Sequence, residues 1–167
     1  MQFVNNIKLH VLIWLFPILY FIHDLEEILT VESFLEKQAH LIPFRVTTAQ
    51  FTFAFALLWI VAFIGCYQAS KQRTFLGMDG TAFFSFLVPG ILLANGIGHL
   101  LQAIFFRGYV PGILTSIFII YPYAFLTLYY LLKNGVLTMR RFLFFFVLGF
   151  ILQGPIAFAA LLIAKLL

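Results

Sequence analysis

Three short polar clusters interrupt an otherwise apolar chain, and each carries groups able to bind a metal or move a proton. They are His23-Asp-Leu-Glu26-Glu27, then Asn95-Gly-Ile-Gly-His99, then Tyr109-Val-Pro111-Gly112-Ile-Leu-Thr115. On a helix Glu27 stands about 40° to one side of His23 and Glu26 about 60° to the other, so the three project into one arc. Asn95 and His99 repeat the four-residue spacing. Two imidazoles and two carboxylates are ligands suited to zinc, with iron or manganese as alternatives. The spacing resembles the inverted zincin arrangement, in which two ligands four apart flank a general base, but Glu27 replaces the second histidine. His23, Glu27 and His99 are the expected metal ligands. Glu26 is the expected base, and Asn95 or Tyr109 the expected stabiliser of developing negative charge. Each has a plainer reading beside it. Glu26 can be a second ligand or a surface acid, His99 a satisfied core histidine, Asn95 a cross-helix bond, and Tyr109 an interfacial anchor. Asp24, about 100° from His23, is expected to face solvent or cap a neighbour.

The elements that must position these groups follow from composition. Of 167 residues, 63% are hydrophobic and 10% charged, against about 25% charged in an average soluble domain. An ordinary cytosolic domain and a disordered chain are excluded. So is a nucleic-acid partner, because the ten Lys and Arg residues never cluster. The single cysteine, Cys66, excludes a disulfide within the chain. Crossing a bilayer takes about 20 apolar residues, and five segments come close. They are Ile7 to about Glu27, then 48–69, 81–106, 111–132 and 142–166. The expected fold is therefore all-α, a membrane bundle of about five transmembrane helices in one integral domain, residues 1–167.

Two of the segments are too short without their polar groups. Ile7 to Ile22 reaches about 24 Å and Thr81 to Ala94 about 21 Å, so both need the His/Glu or Asn/His cluster to span. Span counting then brings all three clusters to one depth. Gly96 and Gly98 allow a neighbouring helix to approach closely there. A signal-peptide reading of the N-terminus is not expected, since no small-x-small site follows Ile22 and four spans remain. Residues 31–47 are expected to connect the first two spans, with a short interfacial helix before Pro43. Six cations on the N-terminal side against four on the other favour a cytoplasmic N-terminus. Kinks are expected at Pro17, Pro89, Pro122 and Pro155. Thr115 is expected to bond a carbonyl of its own helix. Gln153 needs a partner that the sequence does not decide, and His10 and His40 receive no role.

With its three motifs complete and in order, the chain resembles the HXXEE family of integral membrane proteins, defined by H-x-x-E-E, N-x-x-x-H and Y-x-P-G-x-x-T. The resemblance covers essentially the whole chain. It implies a polar site built from these residues and an enzymatic role, and it leaves the reaction open.

The expected function is that of a metal-dependent membrane enzyme, a hydrolase acting on a lipid or other amphiphile in the outer half of the cell membrane. Two alternatives stand beside it: a proton- or metal-handling membrane protein, and a structural bundle in which His99 pairs with Glu26 or Glu27. Membrane lipid is the expected surrounding partner. One geometric condition separates the first reading from the others. If the His23 and His99 rings lie more than about 8 Å apart, no single ion bonds both at about 2 Å each.

Overall fold

A computed structural model describes residues 7–42 and 45–166. Within them the chain forms five helices: α1 (Ile7–Lys37), α2 (Thr48–Ser70), α3 (Gly80–Phe106), α4 (Ile113–Lys133) and α5 (Met139–Leu166). Among the described residues there is no strand, only an isolated bridge between Phe75 and Met78. Helices α2 to α5 are each long and apolar enough to cross a membrane. The protein is an all-α membrane bundle.

α1 differs from the others in carrying five of the six acids in the chain. It does not end at them. The expected connection and separate interfacial helix give way to a helix running on to Lys37, ten residues or about 15 Å past Glu27; Pro43 lies outside the described residues. The reason is in the packing pattern. Leu9, Leu12, Ile13, Phe16, Tyr20, His23, Asp24, Glu27, Val31 and Phe34 are all buried, a stripe recurring every three or four residues. The polar residues take core positions in the middle of that stripe, with Phe16 and Tyr20 before them and Val31 and Phe34 after. Leu25 and Leu29 point outward.

Helix ends are satisfied locally. Thr47 and Gln50 close a capping box on α2. Glu32 of α1 accepts from the Thr48 N–H at 2.8 Å and the Thr48 hydroxyl at 2.5 Å, which ties the second helix to the first. Asp79 caps α3 by accepting from Thr81 and Ala82. At the other end of α3, Arg107 turns left-handed at φ 52° and starts a tight passage into α4.

Two of the expected kinks take a specific form. Residues Leu87–Leu93 of α3, around Pro89, wind as a π-helix, and so do Ser116–Ile120 of α4, just before Pro122. Proline lacks the N–H that an α-turn needs, and wide turns of this kind recur at functional sites. One ends next to Asn95 and the other begins next to Thr115. Pro17 and Pro155 sit inside continuous helices. α5 is held against α3 by backbone contact: a Cβ on Gly149 would fall onto Gly90, and one on Gly90 would lie 2.7 Å from the Phe145 carbonyl oxygen.

That contact predicts a position-specific effect. Gly149→Leu should lower thermal stability in detergent by at least about 1–3 kcal/mol, the usual overpacking cost. Gly154→Leu, on the same helix with open space around it, should leave the melting temperature unchanged.

Candidate functional site

His23, Glu27 and His99 meet in the bundle interior, 0%, 3% and 7% exposed. α1 supplies the first two, one turn apart on its buried stripe, and α3 supplies the third, one turn beyond its π-helical stretch. Glu27 Oε1 stands 2.6 Å from His99 Nε2 and 3.3 Å from His23 Nε2. Asn95 Oδ1 lies 2.7 Å from His23 Nε2 and 3.0 Å from His99 Nε2. The ring centroids are 5.1 Å apart at an interplanar angle of 68°, inside the limit for a shared ion. One ligand atom from each of the three residues falls within 4.8 Å of the others.

The donor and acceptor pattern is uneven. Glu27 Oε1 is buried and, despite its short distances to both rings, accepts no well-formed hydrogen bond. His99 Nδ1 is buried with no partner. Two imidazole nitrogens and two oxygens thus converge with more lone pairs than protons among them. Around an ion bonded at about 2.0–2.1 Å, neighbouring ligand atoms lie about 2.9–3.4 Å apart, close to the 2.6–3.3 Å nitrogen–oxygen spacings seen here.

The third cluster closes the site from above. Val110, Pro111, Gly112 and Ile113 are buried where the chain turns from α3 into α4. Gly112 has φ 82°, and a Cβ there would lie 2.8 Å from His99 Cε1, 2.9 Å from Glu27 Oε1 and 2.9 Å from His23 Cε1. Glycine is required twice over, for its backbone conformation and for the space. Glu26 fastens this turn to α1. Its carboxylate accepts from the Tyr109 hydroxyl at 2.8 Å, the Leu114 N–H at 3.2 Å, the Thr115 N–H at 2.7 Å and the Thr115 hydroxyl at 2.6 Å. Tyr109 is half exposed at the rim.

Three residues behave differently from their sequence reading. Asp24, expected at solvent or as a cap, is 2% exposed and neither oxygen has a hydrogen-bond partner. Outward on this helix is apolar surface, so the carboxylate turns inward with the core stripe. Thr115 makes the expected bond within its own helix, to the Gly112 carbonyl at 3.3 Å. It also bonds Glu26 and, at 2.7 Å, His23 Nδ1, which sequence reasoning missed. Gln153 donates to the Ala94 carbonyl at 3.3 Å, so its partner is backbone beside the site. His10 packs against Trp14, away from the cluster.

A helical membrane bundle with ionisable side chains from two helices enclosed under a glycine turn is the class that fold and site define. The family described as "Protein of unknown function with HXXEE motif" matches residues 14–127, a stretch holding all of these side chains, and the chain belongs to it. No curated protein and no solved structure matches the chain.

The placement of Asp24 carries its own test. A buried carboxylate without a donor is costly, so Asp24→Asn should raise stability by about 1–3 kcal/mol. Thermal melts in detergent check this; a lower melting temperature would mean that Asp24 is stabilised by a charge it holds in place.

Proposed function

We propose that the protein is a metal-dependent membrane enzyme, with His23, Glu27 and His99 as ligands of a divalent ion. Zinc suits this ligand set best; iron and manganese also fit it. The observation that carries the reading is the convergence of three ligand atoms within 4.8 Å in a buried setting, with Glu27 Oε1 left without a hydrogen bond. Three protein ligands leave a coordination position for water or substrate, as catalytic sites require.

The reaction class is hydrolysis. An ion so held would supply Lewis acidity and acidify a bound water. The remaining residues divide the other tasks. Asn95, whose Oδ1 is within 3.0 Å of both ring nitrogens, orients the ligands and stands where an amide can steady developing charge. Tyr109 brings a hydroxyl to the rim. The base expected of Glu26 is a carboxylate already accepting four hydrogen bonds, so we assign it to holding the Tyr109–Thr115 turn over the site. The substrate would be a lipid or another amphiphile able to enter from the bilayer. In this reading the site occupies the outer half of the cell membrane, with the N-terminus cytoplasmic.

A second reading is favoured by one distance. The 2.6 Å separation of His99 Nε2 and Glu27 Oε1 also suits a buried ion pair in a purely structural bundle, where protonated imidazole takes the place of the metal.

Elemental analysis decides between them. Protein purified without chelator should hold one equivalent of metal. Added zinc at 100 times its dissociation constant should stabilise stripped protein by about 2.7 kcal/mol. His99→Ala should lose the metal and His10→Ala should keep it. Absence of stoichiometric metal, with no thermal response to zinc, manganese or iron, favours the structural pair.

A further inference from the structure

The two imidazoles of the cluster are held very differently. His99 Nδ1 has no hydrogen-bond partner. His23 Nδ1 has one, and it belongs to a chain of contacts whose proton positions can be worked out. His23 Nδ1 lies 2.7 Å from Thr115 Oγ1. Thr115 Oγ1 lies 2.6 Å from Glu26 Oε2 and 3.3 Å from the Gly112 carbonyl. A hydroxyl has one proton to donate. An ionised carboxylate and a carbonyl only accept, so the Thr115 proton points to Glu26, the nearer and charged partner. The oxygen of Thr115 is then an acceptor toward the ring, and Nδ1 must carry the proton. The opposite arrangement, Thr115 donating to Nδ1, sets two oxygens with lone pairs facing at 2.6 Å.

From this geometry we infer that Thr115 is a positioning residue that transmits the negative charge of Glu26 to His23 and fixes a proton on its Nδ1. Nε2 is thereby the ring nitrogen left to face the cluster. The inference deepens the metal reading above, since a histidine ligand needs exactly one free nitrogen, and its tautomer is set by what the other nitrogen donates to. The Nδ1 proton follows from the polypeptide's own contacts; Nε2 faces two acceptors, Asn95 Oδ1 at 2.7 Å and Glu27 Oε1 at 3.3 Å, so with no ion bound it holds a proton too, which a bound ion would displace. The same circuit gives a role to Glu26, one position before Glu27. Glu27 faces the cluster directly, whereas Glu26 reaches it through the hydroxyl of a different helix, 89 residues further on.

The test is nitrogen NMR of histidine-labelled, metal-stripped protein in micelles, with the four histidines resolved by His10→Gln and His40→Gln. His23 should show a protonated Nδ1. Thr115→Val, which keeps shape and removes the hydroxyl, should abolish that preference. Thr115→Ser, which restores the hydroxyl, should return it. Zinc affinity, measured by competition with a chromophoric chelator, should fall about 10–100-fold in Thr115→Val, the usual effect of losing such support. In Thr115→Ser it should stay within about threefold of wild type. A wild-type His23 with no proton on Nδ1, an Nδ1 proton unmoved in Thr115→Val, or one equally lost in Thr115→Ser overturns the inference. Zinc failing to bind wild type, with the Nδ1 proton responding as described, overturns only the metal reading and supports the role of Thr115.

Discussion

Polar atoms removed from water have to find their compensation within a few ångströms, and lipid offers none. The centre of this bundle is organised by that requirement. Glu27, His23 and His99 are enclosed by two helices and a turn, and the hydrogen bonds between distant parts of the chain that meet there run mostly to His23 or to Glu26. Glu26 gathers four donors from a single turn. Asn95 serves both rings. Thr115 links the carboxylate to an imidazole. The apolar parts of α1, α3 and α4 contribute the walls, and the polar groups fix how those walls are aligned. A membrane helix pair packed on apolar surface alone gains little from hydrophobic burial. Here the polar contacts supply registry as well as chemistry.

The interior is also shaped by what is missing. α3 carries no side chain at Gly90, where α5 touches it through Gly149, and none at Gly96, where Tyr121 of α4 packs and donates to the Gly96 carbonyl at 2.8 Å. The neighbouring helices therefore approach α3 on either side of the turn that presents Asn95. The π-helical stretches lie in the same layer. Small residues, wide turns and a positive-φ glycine all occur at the level of the polar cluster.

Much of this was legible in the residues. Apolar runs marked α2 to α5 to within a few positions, and the four-residue spacings in His23–Glu27 and Asn95–His99 marked the faces that meet. Span counting placed the two faces at one depth. The misreadings have a common physical origin. Asp24 was judged by the logic of a soluble helix, on which a charge off the functional arc turns to water. On α1 the outward direction belongs to Leu25 and Leu29, so the acid turns in. The continuation of α1 to Lys37 had a signal in Val31 and Phe34, which extend the stripe of Phe16 and Tyr20, but the acids of that region suggested an ending. The circuit through Thr115 had no local signature. It joins side chains 92 residues apart, and only the fold decides which hydroxyl faces which ring.

Under the metal reading proposed above, Gly112 would bear on discrimination among ions. Its α-carbon presses a missing methyl's distance from three of the side chains that face inward, and its backbone is pinned by the turn that Glu26 holds. Such an enclosure has little freedom to expand. Calcium takes six to eight oxygens at about 2.3–2.6 Å, a larger shell than this cage of two nitrogens and two oxygens can open to provide. Compact ions with short bonds meet no such barrier. The width of the cage is thus set by a hydrogen atom where any other residue would place carbon.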